Sequence, residues 1–104
     1  MRQREVWWAM LPAPAGRRPV LLLSRNEAYR VRTSVTVAII TSTIRNIPVE
    51  VRLGPADGLP KECVVNLDTI LTIPKAALQS HLCMLTPLKW NAVVTALKFA
   101  FDIM

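Results

Sequence analysis

The chain is predicted to be mainly β, a small barrel of short strands closed by one C-terminal helix. Three features predict it. Short runs rich in β-branched residues follow one another, each bounded by Pro or Gly turn signals. The run Arg17-Arg18-Pro19-Val20-Leu21-Leu22-Leu23 reads as a strand buried on both faces. Beyond Thr86-Pro87 the apolar residues recur at helical spacing.

The elements follow in order. Glu5–Leu11 is the first strand, and Pro12 ends it. Trp7 and Trp8 then face opposite sides, one toward the core and one toward a partner surface or a stacking base. Residues 12–17 form a loop. Pro19 has no N–H and suits the start of the next strand, which sets Arg17 and Arg18 at its mouth. A guanidinium held there can grip a phosphate in a bidentate way. Residues 24–30 read as a turn or a short helical segment. Ser34–Thr43 is a long strand ending in hydroxyls, which can donate to phosphate oxygens or satisfy the local backbone. Ile47–Leu53 alternates, with Val49, Val51 and Leu53 inward, and Pro48 marks an edge or a strand start. A turn-rich loop over 54–60 leads to residues 62–73, two strands or one with a bend. Lys75–Gln79 reads as one helical turn. Thr86 caps the final helix, Pro87 opens it, and it is predicted to run to about residue 102. Trp90, Val93, Val94, Leu97 and Phe101 form its buried stripe.

A chain of 104 residues, 52% of them hydrophobic, is one domain with a real core. Its net charge of +6 is one-sided: residues 1–52 carry nine Arg against three Glu, while residues 53–104 balance four Lys against four acids. An arginine excess points to a polyanionic partner, nucleic acid first. Cys63 and Cys83 with the lone His81 make no metal site, and both thiols read as buried and free. His81 reads as structural. No apolar run reaches a membrane-spanning length. Arg2, Arg4, the apolar run to Leu11 and Ala13-Pro14-Ala15 imitate a secretory leader, but Pro12 breaks the short stretch. A cytoplasmic protein of a reducing compartment is expected, with no membrane partner.

Several motifs in order resemble the MazF/PemK (Kid) toxins of bacterial toxin–antitoxin systems. They are Glu5-Val6-Trp7, Gly16-Arg17-Arg18-Pro19-Val20-Leu21-Leu22-Leu23, Val35 through Arg45, and Gly58-Leu59 followed by Val64-Val65-Asn66-Leu67-Asp68. Thr72-Ile73-Pro74-Lys75 stands where that family has a Thr-Ile-(x)-Lys run. The sequence departs from the pattern at Arg4, at the short loop over 12–17 and at Asn66, where some members carry a substrate-binding arginine. The resemblance implies an SH3-like barrel, a homodimer, and sequence-specific cleavage of single-stranded RNA without metal or cofactor. It also implies a MazE-like antitoxin whose C-terminal arm blocks the RNA groove. By position, Arg18 matches the family's catalytic arginine and Thr41 its catalytic threonine. Ser42 matches a substrate-binding hydroxyl. Asp68 matches an acid implicated in some members, as a base or as a structural hydrogen-bonding group. Arg17, Thr43, Arg45 and Asn66 complete the expected RNA contacts. Two other readings stand beside this one: a toxin of the same barrel that poisons DNA gyrase, and an RNA-binding barrel without catalysis.

Overall fold

A computed structural model describes residues 1–103. Six antiparallel strands form one sheet in the order β4-β5-β3-β2-β1-β6, curled into a half-barrel with β4 and β6 at its edges. β1 is Glu5–Met10, β2 Arg17–Leu22, β3 Ser34–Thr41, β4 Glu50–Leu53, β5 Cys63–Pro74 and β6 Leu78–Met84. A single helical turn, α1, spans Ala28–Val31, and the terminal helix α2 spans Pro87–Ala100.

β2 and β3 are buried on both faces, as their aliphatic runs require. Leu21, Ala38 and Ile40 pack into one cluster with Val6, Leu53, Val65, Leu67 and α2 residues Val93 and Ala96. Val20, Leu22, Val35, Val37 and Ile39 pack into a second cluster with Ala9, Tyr29 and Ile73. Each strand therefore lends alternate side chains to two interiors.

β5 is one strand with a bend. Its pairing with β3 jumps from Ile39↔Asn66 to Ala38↔Ile70, which leaves three β5 residues outside the ladder. The Asn66 Oδ1 accepts the N–H of Asp68 at 2.8 Å across this bulge. That bond satisfies the side-chain oxygen of Asn66, which is 8% exposed.

Several expectations need correction. β4 begins at Glu50 because Ile47–Val49 form a turn, closed by Glu50 N–H to Ile47 C=O at 2.9 Å. Val49, Val51 and Leu53 are nevertheless buried as the alternation requires. β3 stops at Thr41, so Ser42 and Thr43 lie in the following loop. The helical turn after Pro74 covers only Lys75–Ala77, and Leu78–Met84 is a strand. That strand pairs with β1 alone and buries only Leu78, so it carries no apolar alternation to announce it. In α2, the Thr86 hydroxyl accepts the Lys89 N–H at 3.2 Å, as the capping pattern demands. The helix ends at Ala100 rather than near 102, and Phe101 is 58% exposed; Val93 and Ala96 are buried, with Trp90, Leu97 and Ala100 packed beside them. Of the two thiols, Cys63 is buried and Cys83 only half-buried.

The two tryptophans do face opposite ways, and both are half-buried. Trp7 packs on the second cluster, meets His81 edge-on at 5.8 Å, and donates its Nε1–H to Glu5 Oε1 at 3.0 Å. His81 Nε2 lies 3.7 Å from Glu5 Oε2. Burial pushes the Glu5 carboxyl up, but the N–H donors of Trp7 and Arg2 and nearby positive charge outweigh it, so its pKa lies below the ordinary 4.5. A depressed folded value stabilises the fold above the ordinary carboxylate range, and that contribution is lost as pH falls through the folded value. Glu5→Gln is accordingly expected to cost about 1 kcal/mol at neutral pH. Urea titrations of both proteins should show the difference shrinking below about pH 4.

Candidate functional site

The carboxyl end of β3, the start of β2 and the loop entering β5 meet at a cleft. β2 and β3 pair at Val20↔Ile39. Continuing that antiparallel register two residues brings Arg18 level with Thr41, and cross-strand neighbours share a face. On its other side Arg18 pairs with Ala9. The cleft has a volume of about 370 Å³, and Arg17, Arg18, Thr41, Ser42 and Lys61 supply its polar lining. Trp8, Pro19, Ile40, Leu59 and Cys63 are among its apolar walls.

Arg18 and Thr41 are each held by local structure. The Arg18 Nε donates to the Ala15 carbonyl at 3.0 Å, so the β1–β2 loop fixes the guanidinium stem. The Thr41 hydroxyl accepts the Thr43 N–H at 3.2 Å. A hydroxyl that already accepts keeps its own proton to give. The loop beyond Thr41 is held in turn by Glu50, whose Oε1 accepts the N–H groups of Arg45 and Asn46, both at 2.9 Å.

The opposite wall comes from Leu59, Pro60 and Lys61. The turn that precedes it depends on Gly58, which sits at φ +101°. A Cβ at Gly58 would lie 2.6 Å from the Cys83 Cβ. Behind this wall, burial raises the Cys63 thiol to about 11 and the neighbouring acids add to the rise, so it lines the cleft as a neutral group at pH 7.

The structure therefore brings together Arg17, Arg18, Thr41 and Ser42. It places Thr43, Arg45, Asn66 and Asp68 outside the cleft lining. Thr43 and Arg45 are exposed in the β3–β4 loop, where their backbone N–H groups bond to Thr41 and Glu50. Asn66 is buried in the bulge of β5. Asp68 is exposed four residues along β5 from Val64, the strand partner of Thr41. Sequence reasoning missed Lys61; its only signal is its position at the end of a turn-rich loop. Reasoning from sequence also missed that Arg17 is already engaged, stacked over Trp8 with 4.2 Å from guanidinium carbon to ring centre.

The arrangement suits a phosphodiester. It offers a forked cation, a hydroxyl donor and a second cation on the facing wall, around a volume that admits a nucleotide.

Comparison with known proteins agrees with the motif order. Residues 2–101 match the family described as PemK-like, MazF-like toxin of type II toxin-antitoxin system. The chain is 40% identical over 99 residues to the probable endoribonuclease MazF5 of Mycobacterium tuberculosis, covering 94% of this chain and 90% of that protein. The Mycobacterium tuberculosis toxin MazF-mt6 superposes with a TM-score of 0.90 at 35% identity, over 97% of this chain and 99% of that one. A mycobacterial endoribonuclease solved in complex with its cognate antitoxin superposes with a TM-score of 0.88 at 32% identity, over 100% of this chain and 97% of that one. Fold, motif order and sequence together place the chain in the family of PemK-like, MazF-like toxins of type II toxin–antitoxin systems.

Proposed function

We propose that the chain is an endoribonuclease toxin that cuts single-stranded RNA in the Arg18–Thr41 cleft. The observation that carries this reading is the shared cleft itself: Arg18 and Thr41, from adjacent strands, both line it. The named relatives MazF5 and the antitoxin-bound mycobacterial enzyme support it.

The chemistry uses the substrate's own nucleophile. The ribose 2′-oxygen attacks the adjacent phosphorus and loses its proton. The bond to the 5′-oxygen breaks, and that oxygen takes up a proton. The products are a 2′,3′-cyclic phosphate and a 5′-hydroxyl. Negative charge grows on the two non-bridging oxygens as the phosphorane forms. Arg18 and the Thr41 hydroxyl stabilise it there. Ser42 lies beside Thr41 and positions the chain, and Lys61 holds a phosphate from the facing wall. No step calls for a metal ion or a cofactor. Asp68, Asn66, Thr43 and Arg45 lie outside the cleft of one protomer, so any contact they make with RNA is with nucleotides farther along it or across a homodimer.

The partner is a cognate antitoxin, and an arm of it lying in this cleft would cover Arg18 and Thr41. A cytoplasmic site of action follows from the substrate.

The test is a digest of mixed-sequence single-stranded RNA in EDTA, with end-group analysis. Fragments ending in 2′,3′-cyclic phosphate and beginning with 5′-hydroxyl are expected, and the all-deoxy strand should survive. RNA left intact would overturn the reading, and so would fragments carrying 5′-phosphates.

A further inference from the structure

Arg17 lines the cleft beside Arg18, yet its geometry differs from that of a phosphate fork. Its guanidinium lies over the Trp8 ring at 4.2 Å, and its Nε donates to Gln79 Oε1 at 2.9 Å. Three strands build this arrangement. Trp8 pairs with Pro19 and Met10 with Arg17, so Trp8 and Arg17 are diagonal neighbours on one face of β1 and β2. Gln79 arrives from β6 on the far side of β1. The register slips there, from Trp8↔Ser80 to Ala9↔Leu78, and Gln79 is the residue left over. A bulge re-aims its side chain, here toward Arg17.

A guanidinium held this way has one face against an indole, one edge bonded to an amide, and one face open. Arg17 is exposed while the indole beneath it is half-buried. The open face is planar and weakly hydrated, so it takes a nucleobase by stacking. Side-chain freedom has already been removed by Trp8 and Gln79, so little further ordering is needed on binding. Arg18 and Thr41 line the same cleft, which sets the stack next to the scissile phosphate.

We propose that the Arg17–Trp8 stack is the base subsite of this cleft: it holds the nucleobase flanking the cut on the open face of the Arg17 guanidinium, with Gln79 as its positioning residue. The proposal rests on the endoribonuclease reading and adds to it the chemical class bound there, a single RNA base recognised by its π-face. Purines, with the larger face, bind there more tightly than pyrimidines.

The test separates stacking from charge. A mixed-sequence RNA is digested with the wild-type protein to map one cut, and short RNAs around that cut are made with an abasic ribose on either side. For the wild type, one of the two abasic substitutions should raise KM roughly five- to a hundredfold, the range expected of one lost base stack. Arg17→Lys keeps the charge and loses the plane. It should show that raised KM on the intact RNA and no further rise on the abasic one, with the salt dependence of KM unchanged. Gln79→Leu should move KM in the same direction by a smaller factor. If Arg17→Lys keeps the wild-type dependence on the flanking base, the subsite is overturned while the nuclease stands. The subsite is also overturned if Arg17→Lys weakens intact and abasic RNA alike. A wild-type protein that cuts no RNA overturns both.

Discussion

Arg18→Ala should lower the rate of RNA cleavage by about 10²–10³, with thermal unfolding close to that of the wild type. The size follows from what the guanidinium is asked to do. In the proposed reaction it donates to oxygens that are most negative in the transition state, so its loss falls on kcat more than on KM. Stability should change little because the residue is only half-buried and, among the described residues, its side chain makes one hydrogen bond, from Nε to the Ala15 carbonyl. Arg18→Lys returns a charge without the fork and should recover only part of the rate. Thr41→Val keeps the shape of the strand end and removes the proton donor, and a loss of similar size is expected. The two act on one phosphate, so the double variant should fall short of the product of the single effects. Single-turnover cleavage of one oligonucleotide by all four variants measures this. Wild-type rates in Arg18→Ala and Thr41→Val would remove the site.

The second large effect is at Gly58. Gly58→Ala places a Cβ 2.6 Å from the Cys83 Cβ, in a backbone held at φ +101°. Both costs act together. The left-handed backbone disfavours a side chain by ~1–3 kcal/mol, and forcing an atom into a packed space costs ~1–3 kcal/mol more. A loss of about 3 kcal/mol is expected, read as the midpoint of urea unfolding. The next three residues, Leu59, Pro60 and Lys61, form the far wall of the cleft. The surviving folded fraction should therefore also bind RNA more weakly, since any backbone shift that relieves the clash moves Lys61. Cys83→Gly in the same background removes the obstructing Cβ and should restore part of the stability.

The parts of the fold legible in the sequence are those that a local rule dictates. Pro19 before three aliphatic residues starts β2, and Thr86-Pro87 starts α2 with the hydroxyl bonded as the motif requires. Val49, Val51 and Leu53 are inward because a pleat has a period of two residues. The sequence concealed elements whose neighbours decide them. β6 is held by main-chain bonds to β1 and needs no apolar pattern of its own. Phe101 continues the helical spacing, but α2 has ended at Ala100, and the ring is left largely exposed. At the site, Arg18 and Thr41 could be paired by resemblance, and the register of two strands explains why they meet. Asn66 and Asp68 follow the same motif into a bulge that no linear spacing reveals. The stacking of Arg17 on Trp8 depends on a β6 residue more than sixty positions away, Gln79.

The two hydrophobic clusters have one consequence for how the protein comes apart. β2 and β3 each supply neighbouring residues to both, so melting either interior strips the other of Leu21, Val37 or Ile40. The molecule has no half to sacrifice. Backbone amides along β2 and β3 should exchange with deuterium only through complete unfolding. Arg18 and Thr41, seated at the ends of those strands, inherit the stiffness of the most protected part of the chain.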